Sequence, residues 1–337
     1  MQIEEYKSLK SYNTFGVAVK ARYFISVNSV KALKKALKSK VHERIFILGG
    51  GSNMLLTSDI DALVIHINIE GREIIQRNDS SVLVKIGGGE IWHEFVLYAI
   101  ENDFGGVENL SLIPGNVGTA PIQNIGAYGV ELVDVFESCS AVHRETCDER
   151  IFTKDEMRFA YRDSIFKNEL KDTYVITDVT FRLTTKNHKI NTSYGDIQKV
   201  LLEKEITEPT LRAISEAVIS IRRSKLPDPK VLGNSGSFFK NPIVDKKTFE
   251  LFIEKFPQAP FYKVSDLDYK IPAGWLIEKA GFKGKQWGDA GVHKNQALVL
   301  VNYGNATGKE ILELAQHIQE KVWEFAQIKI EPEVNIF

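Results

Sequence analysis

The spacing of apolar and polar residues along this chain marks out its elements before any single residue draws attention. Ser29 precedes Val30, Leu33 and Leu37, which predicts a capped amphipathic helix. Arg44 to Leu48, Asp61 to Ile67, Val82 to Ile86 and Tyr174 to Leu183 are apolar-rich runs of strand length. From Glu90 to about Asn102, Ile91, Phe95 and Ala99 share one helical face. Thr210 to Ile221 is a second helix, with Leu211, Ile214, Ala217 and Ile221 in register. An Ala297 to Val301 strand leads into a long helix whose apolar face is Ile311, Ala315, Ile318, Val322 and Phe325. Strands and helices that alternate in this way predict α/β material.

What separates these elements is rich in glycine. The Arg44–Leu48 strand runs into Gly49-Gly50-Gly51-Ser52-Asn53, where open α/β sheets commonly bind ligands. The loop lacks the Gly-Lys-Ser/Thr of a Walker motif and the Gly-x-Gly-x-x-Gly spacing of the dinucleotide fold. Consecutive glycines expose amides that can nest a phosphate; a tight structural turn is the competing reading. Val82–Ile86 ends in a second triple glycine, Gly87-Gly88-Gly89, and the pair suggests one extended ligand lying across both. Between Leu110 and Gly129, Pro114, Pro121 and four glycines exclude a regular helix or central strand. Here Thr119, Gln123 and Asn124 offer hydrogen bonds and Ile113, Ile122 and Ile125 offer apolar walls, a surface that fits a flat heterocycle with polar edges.

Three further stretches carry candidate chemistry. In Phe159-Ala160-Tyr161-Arg162-Asp163-Ser164, a Tyr-Arg pair can orient and stabilise a carboxylate or enolate, although a surface ion pair explains it locally as well. Arg222-Arg223-Ser224-Lys225, ahead of Pro227 and Pro229, is either a diphosphate contact or a solvated helix end, and its prolines mark a boundary. Leu232 to Pro242 sets Ser237 after Gly236, where a side chain can face a reacting atom; a hairpin turn over a packed Phe238–Phe239 pair is the alternative.

Composition narrows the field. A net charge of −1 gives no broad reason to expect nucleic acid or an anionic membrane as partner. No apolar run approaches the roughly 20 residues that span a bilayer, and the N-terminus lacks a secretion-signal pattern. Cys139 and Cys147 are too few for a disulfide scaffold, no Cys/His spacing resembles a metal site, and His293 reads as structural. A reducing cytoplasm is the simplest compartment, and 337 residues allow two or three domains.

Asn13-Thr14-Phe15-Gly16, Gly49 to Asn53 and Pro114-Gly115 through Pro121-Ile122-Gln123-Asn124-Ile125-Gly126-Ala127-Tyr128-Gly129 resemble UDP-N-acetylenolpyruvoylglucosamine reductases of type I, within the vanillyl-alcohol-oxidase-type FAD-binding superfamily. The resemblance covers essentially the whole chain. It implies a mixed α+β and α/β fold: a two-part FAD-binding domain plus a C-terminal α/β substrate-binding domain. The expected divisions are 1–69 with 331–337, 70–220 with a Tyr-loop insertion, and 221–330. It also implies non-covalent FAD, NADPH as co-substrate, and reduction of the enolpyruvyl ether of a UDP-sugar in peptidoglycan precursor synthesis, by a cytoplasmic monomer with no nucleic-acid or membrane partner.

Carried over by motif, Arg162 stabilises the carboxylate and enolate, Ser237 donates a proton to the α-carbon, and Glu333 is the partner acid. FAD contacts fall on Gly49, Gly50, Gly51, Ser52, Asn53, Ile113, Pro114, Gly115, Gly118, Thr119, Ile122, Gln123, Asn124, Gly126 and Ala127. Substrate contacts fall on Tyr161, Tyr194, Lys225, Asn241, Tyr262 and Gln296. Two departures are visible: Ala120 stands where relatives often carry serine, and the sequence stops four residues after Glu333. An oxygen-using oxidase of the same superfamily would call for other substrate motifs, often with a flavin-linking His or Cys. The flavin loops contain no Cys, and His93 is the one histidine nearby. A catalytically dead nucleotide-binding protein is disfavoured by intact Arg162, Ser237 and Glu333.

Overall fold

A computed structural model describes residues 2–337. The chain divides into two compact units, each assembled from three pieces: Met1–Lys7, Ala21–Gly50 and Ile60–Arg222 in the first, Ser8–Lys20, Gly51–Asp59 and Arg223–Phe337 in the second.

The first unit contains two sheets. One has four strands in the order Glu4–Ser8, Lys20–Val27, Ile60–Ile67, Ile45–Leu48. The last three are parallel, with Tyr23 and Ile45 both opposite Leu63. Parallel strands need a crossover, and the helix Val30–Leu37 supplies it. Ser29 Oγ accepts from the Ala32 N–H at 3.2 Å, satisfying one open end of that helix. Leu33, Ala36 and Leu37 then pack against Ile25, Val27, Leu63, Ile65 and Ile67.

The second sheet has five strands, ordered Glu149–Thr153, Phe136–His143, Tyr174–Thr184, Ser81–Gly87, Arg72–Arg77, and every pairing is antiparallel. The helix Trp92–Glu101 buries Trp92, Phe95, Val96 and Ala99. Phe95 stacks on Phe181 of the central strand at 4.6 Å, and the Trp92 indole N–H donates to the Leu110 carbonyl at 2.9 Å. The expected α/β alternation therefore holds for the first sheet, while the second is α+β in character. A third cluster joins the helices Gly195–Glu203 and Leu211–Lys225 through Ile197, Leu201, Ile214, Ala217, Val218 and Ile221.

The helix expected to end at Ile221 continues through Arg222-Arg223-Ser224-Lys225. Nothing in those residues breaks a helix, and cations suit its C-terminal end. Pro227 supplies the stop, and it also disfavours helical backbone at Leu226.

The second unit carries the sheet Ile243–Asp245, Asp268–Lys270, Tyr262–Lys263 and the sheet Gln286–Trp287, Ala290–Val292, Leu300–Asn302, all antiparallel. Its longest helix, Gly308–Ala326, opens with a capping box between Thr307 and Glu310. Asn335–Ile336 pairs in parallel with Met54–Leu55, and the Thr57 N–H donates to the Phe337 carbonyl at 2.8 Å.

Candidate active site

The two triple glycines do different work. The Gly87, Gly88 and Gly89 amides donate to the carbonyls of Gly71, Thr177 and Ile69 at 2.8, 2.7 and 2.8 Å. No donor is left over for a phosphate, so the expectation of one ligand lying across both loops is corrected. These glycines serve close packing: a Cβ on Gly88 would come within 3.0 Å of the Ile176 carbonyl oxygen, and one on Gly118 within 2.9 Å of Gly88 Cα. In the first loop, by contrast, the amides of Gly50 and Gly51 have no hydrogen-bond partner among the described residues. A Cβ on Gly50 would meet Gly115 Cα at 2.8 Å and Asn116 Oδ1 at 2.6 Å, so strand end and loop touch backbone to backbone.

The Leu110–Gly129 stretch is a chain of single 3-10 turns, Glu108–Leu110, Val117–Thr119 and Pro121–Gln123, and a two-residue ribbon, Gly126–Ala127 with Val130–Glu131. It is anchored from behind. The Trp92 N–H donates to Gly115, Val117 to Glu90 and Gly118 to Gly88. Ile113, Gly115, Thr119, Ile122, Gln123, Gly126 and Ala127 keep exposed surface; Gly118 is buried. Half-open glycine backbone, apolar Ile113 and Ile122, and the unpartnered Gly50 amide are groups that suit contact with a flavin nucleotide. Asn124 differs. It is 1% exposed with φ +42°, and its amide donates to Glu131 Oε2 at 3.0 Å and the Ala160 carbonyl at 3.1 Å, while its Oδ1 accepts from Val133 N–H at 3.1 Å.

Arg162 lies in the same unit, at the tip of the Ala160–Asp163 turn, whose ends exchange both backbone hydrogen bonds. Its φ is +55°, a conformation rare outside glycine and asparagine and one that clusters at functional sites. Its Nη2 donates to the Gly126 carbonyl at 2.6 Å, and its guanidinium lies 5.4 Å from the Tyr161 ring centre. Arg162 is thereby joined to the Gly126–Ala127 backbone.

Tyr194 is exposed at the start of its helix and meets Tyr128 edge to face at 5.1 Å. Sequence reasoning missed the frame behind this pair. Asn191 Nδ2 donates to the Gly129 carbonyl at 2.9 Å, and Asn109 Nδ2 donates to the Tyr128 and Asn191 carbonyls at 3.1 and 3.0 Å. Only pairings between distant residues reveal it. Burial lowers the Arg222 guanidinium from its ordinary value, opposed by its hydrogen bond to Tyr128. Lys225 is exposed in the last helical turn.

The second unit gathers Ser237 and Glu333. The Phe238 N–H donates to Leu298 and the Glu333 N–H to Phe238, both at 2.7 Å, so Ser237 is one residue from a backbone link to Glu333. Asn53 Nδ2 donates to the Glu333 carbonyl at 3.3 Å from the other side. Gly236 has φ +70° and open space at its Cβ position, and Asn234 Oδ1 accepts its N–H at 2.9 Å. The Asn13–Gly16 motif buttresses this loop. Asn234 N–H donates to Thr14, the Thr14 and Ser235 hydroxyls are 3.2 Å apart, and a Cβ on Gly233 would strike the Phe15 backbone. Ser237 itself is half-buried, and its hydroxyl has no hydrogen-bond partner among the described residues.

Phe238 and Phe239 are fully buried, edge to face at 5.1 Å, so they are packing residues. Asn241 Oδ1 accepts from the Ala273 N–H at 2.9 Å. Tyr262 is exposed beneath Lys270, and Gln296 sits in the turn between His293 and Val299. His293 is buried, and burial first, then Lys294, lowers its imidazole from the ordinary value. Among the described residues no His/Cys/Asp/Glu group could hold a metal ion.

A glycine loop with open amides, a partly exposed loop of glycine and isoleucine residues, and a serine linked by backbone to a glutamate are the features of an FAD-dependent protein with an added substrate domain. Residues 21–152 match the FAD binding domain family, and residues 228–337 match the family of the UDP-N-acetylenolpyruvoylglucosamine reductase C-terminal domain. The chain is 62% identical over its full length to the whole UDP-N-acetylenolpyruvoylglucosamine reductase of Flavobacterium johnsoniae. It is 48% identical to that of Amoebophilus asiaticus, covering 100% of this chain and 99% of the relative. The crystal structure of the reductase from Thermus caldophilus superposes with a TM-score of 0.71 at 25% identity, covering 100% of this chain and 99% of that one. The chain belongs to the UDP-N-acetylenolpyruvoylglucosamine reductase family.

Proposed function

We propose that this chain reduces the enolpyruvyl ether of UDP-N-acetylglucosamine enolpyruvate to the lactyl ether of UDP-N-acetylmuramate, with NADPH as reductant, in peptidoglycan precursor synthesis. The observation that carries this reading is the unpartnered Ser237 hydroxyl, held at a glycine-flanked turn and linked through Phe238 to Glu333. FAD, when bound, would supply the hydride chemistry that couples NADPH oxidation to reduction of the vinyl ether. The chain's own residues supply the rest. Gly49 to Asn53, with Ile113, Pro114, Gly115, Gly118, Thr119, Ile122, Gln123, Gly126 and Ala127, hold the cofactor; Asn124 holds the loop itself.

Negative charge builds on the α-carbon and carboxylate as hydride arrives. The Arg162 guanidinium stabilises it. Ser237 is a weak acid against water, but an α-carbanion is basic enough to take its proton across about 3 Å. Glu333 is the partner acid. Tyr161, Tyr194, Lys225, Asn241, Tyr262 and Gln296 bind the UDP-sugar, with Lys225 at its phosphates. The partition 1–69 with 331–337, 70–220 and 221–330 follows this division of labour. In this reading the protein acts on small molecules, as a cytoplasmic monomer. Among the described residues no helix is long and apolar enough to cross a membrane.

The test is transient kinetics on the yellow holoprotein. Ser237→Ala should leave NADPH bleaching of the flavin at its normal rate. It should slow reoxidation by the UDP-sugar about 10²- to 10⁴-fold, the usual contribution of a positioned acid. Near-normal reoxidation in that variant would overturn the mechanism.

A further inference from the structure

Three hydrogen bonds bind the Ala160–Ser164 turn to the segment 122–126. Ser164 Oγ donates to the Ile122 carbonyl at 2.7 Å. Asn124 Nδ2 donates to the Ala160 carbonyl at 3.1 Å. Arg162 Nη2 donates to the Gly126 carbonyl at 2.6 Å. The first two flank the arginine on either side, and both donors are buried: Ser164 is 0% exposed and Asn124 1%. Neither residue has a polar atom to spare for a ligand. Ser164 Oγ also accepts from the Phe166 N–H at 3.2 Å, and Asn124 uses both its amide and its oxygen inside the protein.

Arg162 needs such a frame. Its φ of +55° is unfavourable for a long side chain, so an isolated four-residue turn would relax and swing the guanidinium away. Gly126 completes the fit, because a Cβ there would lie 3.1 Å from Arg162 Nη1. Asn124 tolerates its own left-handed backbone (φ +42°) because its short amide satisfies local groups.

We propose that Ser164 and Asn124 are positioning residues that lock the Arg162 turn onto the flavin-side loop, so that the guanidinium is aimed before substrate arrives. Asn124 then acts through Arg162 and not as a cofactor contact. The inference rests on the role given to Arg162 above. A misplacement of about 1 Å at such a group can slow chemistry about 10²-fold, whereas loss of one hydrogen bond without displacement has a smaller effect.

The experiment is a double-mutant cycle on the holoprotein with Ser164→Ala and Arg162→Ala, each half-reaction being followed separately. Ser164→Ala should slow flavin reoxidation by the UDP-sugar about 10- to 100-fold and leave reduction by NADPH unchanged. In the Arg162→Ala background the same substitution should have no further effect. Amide exchange at Asp163, whose N–H is held by Ala160, should accelerate in Ser164→Ala while that of the Tyr174–Thr184 strand stays constant. Equal losses in both backgrounds, or equal slowing of both half-reactions, would overturn the inference. Normal reoxidation in Arg162→Ala alone would instead sink the role of the arginine. Should Ser164→Ala not accumulate as holoprotein, Asn124→Asp paired with Glu131→Gln takes its place in the cycle, with Glu131→Gln alone as its reference; it keeps the acceptor for Val133 N–H, loses the donor to Ala160 and avoids a carboxylate pair at residue 131.

Discussion

Gly50→Ala tests whether the first glycine loop is shaped for a cofactor or merely for a turn. The new methyl would sit 2.6 Å from Asn116 Oδ1, 2.8 Å from Gly115 Cα and 3.0 Å from Asn116 N. Carbon contacts are comfortable at about 3.5–4.0 Å, so the 115–116 backbone has to retreat by roughly 0.7 Å. It has little room to do so. Gly115 accepts from Trp92 N–H at 2.9 Å, Asn116 Nδ2 donates to Gly89 at 3.0 Å, and Val117 N–H donates to Glu90 at 2.8 Å. Overpacking of this kind costs about 1–3 kcal/mol. With 1.4 kcal/mol per factor of ten, FAD affinity should fall about tenfold to a hundredfold. Titrating apoprotein with FAD and following quenching of flavin fluorescence reads this directly. Gly195→Ala is the control, since nothing lies within 4 Å of its Cβ position. An unchanged FAD dissociation constant and melting temperature in Gly50→Ala would refute this reading of the loop.

Two further outcomes follow from burial. Phe238→Ala removes a fully buried ring that meets Phe15 and Phe239 edge to face. It should destabilise the protein by about 3–5 kcal/mol in urea titrations, and a loss under about 1 kcal/mol would contradict the packing role. His66 and His293 both have imidazoles lowered by burial, with Lys294 adding to the effect at His293. The unfolded chain takes up protons near pH ~6.5, and the folded one does so only at lower pH. Stability is therefore full above that value and declines as pH falls below it. Glu137, Asp245 and Glu310, held low by Arg182, Thr248 and Thr307, extend the loss below the ordinary carboxylate range. His66→Asn should flatten the decline in melting temperature between about pH 7 and 5.5; an unaltered slope would show that His66 does not contribute.

What the sequence announces and what it hides divide along a physical line. The helix after Ser29 and the strand at Ile60–Ile67 are legible because their periodicity and caps are local. The glycines around residues 50 and 88 look alike in sequence, yet only the first loop keeps free amides; the difference lies in partners at Gly71, Thr177 and Ile69. Asn124 illustrates the same limit. Its motif marks it as important without saying whether its amide faces a ligand or Ala160. The Asn13–Gly16 motif is recognisable, but its support of the Ser237 loop depends on a contact spanning more than two hundred residues. The Leu211 helix overran its expected end because charge does not stop a helix and proline does.

The pairing of Asn335–Ile336 with Met54–Leu55 bears on how the molecule is made. Every segment of the first unit has been translated by Arg222, so that unit can form before synthesis of the second is finished. The second cannot: residues 51–59 wait, with an unpaired strand, for a partner translated some 280 positions later. Glu333 and the backbone link to Phe238 arrive in that same closing stretch. A chain stalled or clipped shortly before its end would keep the flavin-side sheets and lack the link beside Ser237. The loop that carries the proposed proton donor therefore gains its backbone link to Glu333 only once residues 333–336 have been made.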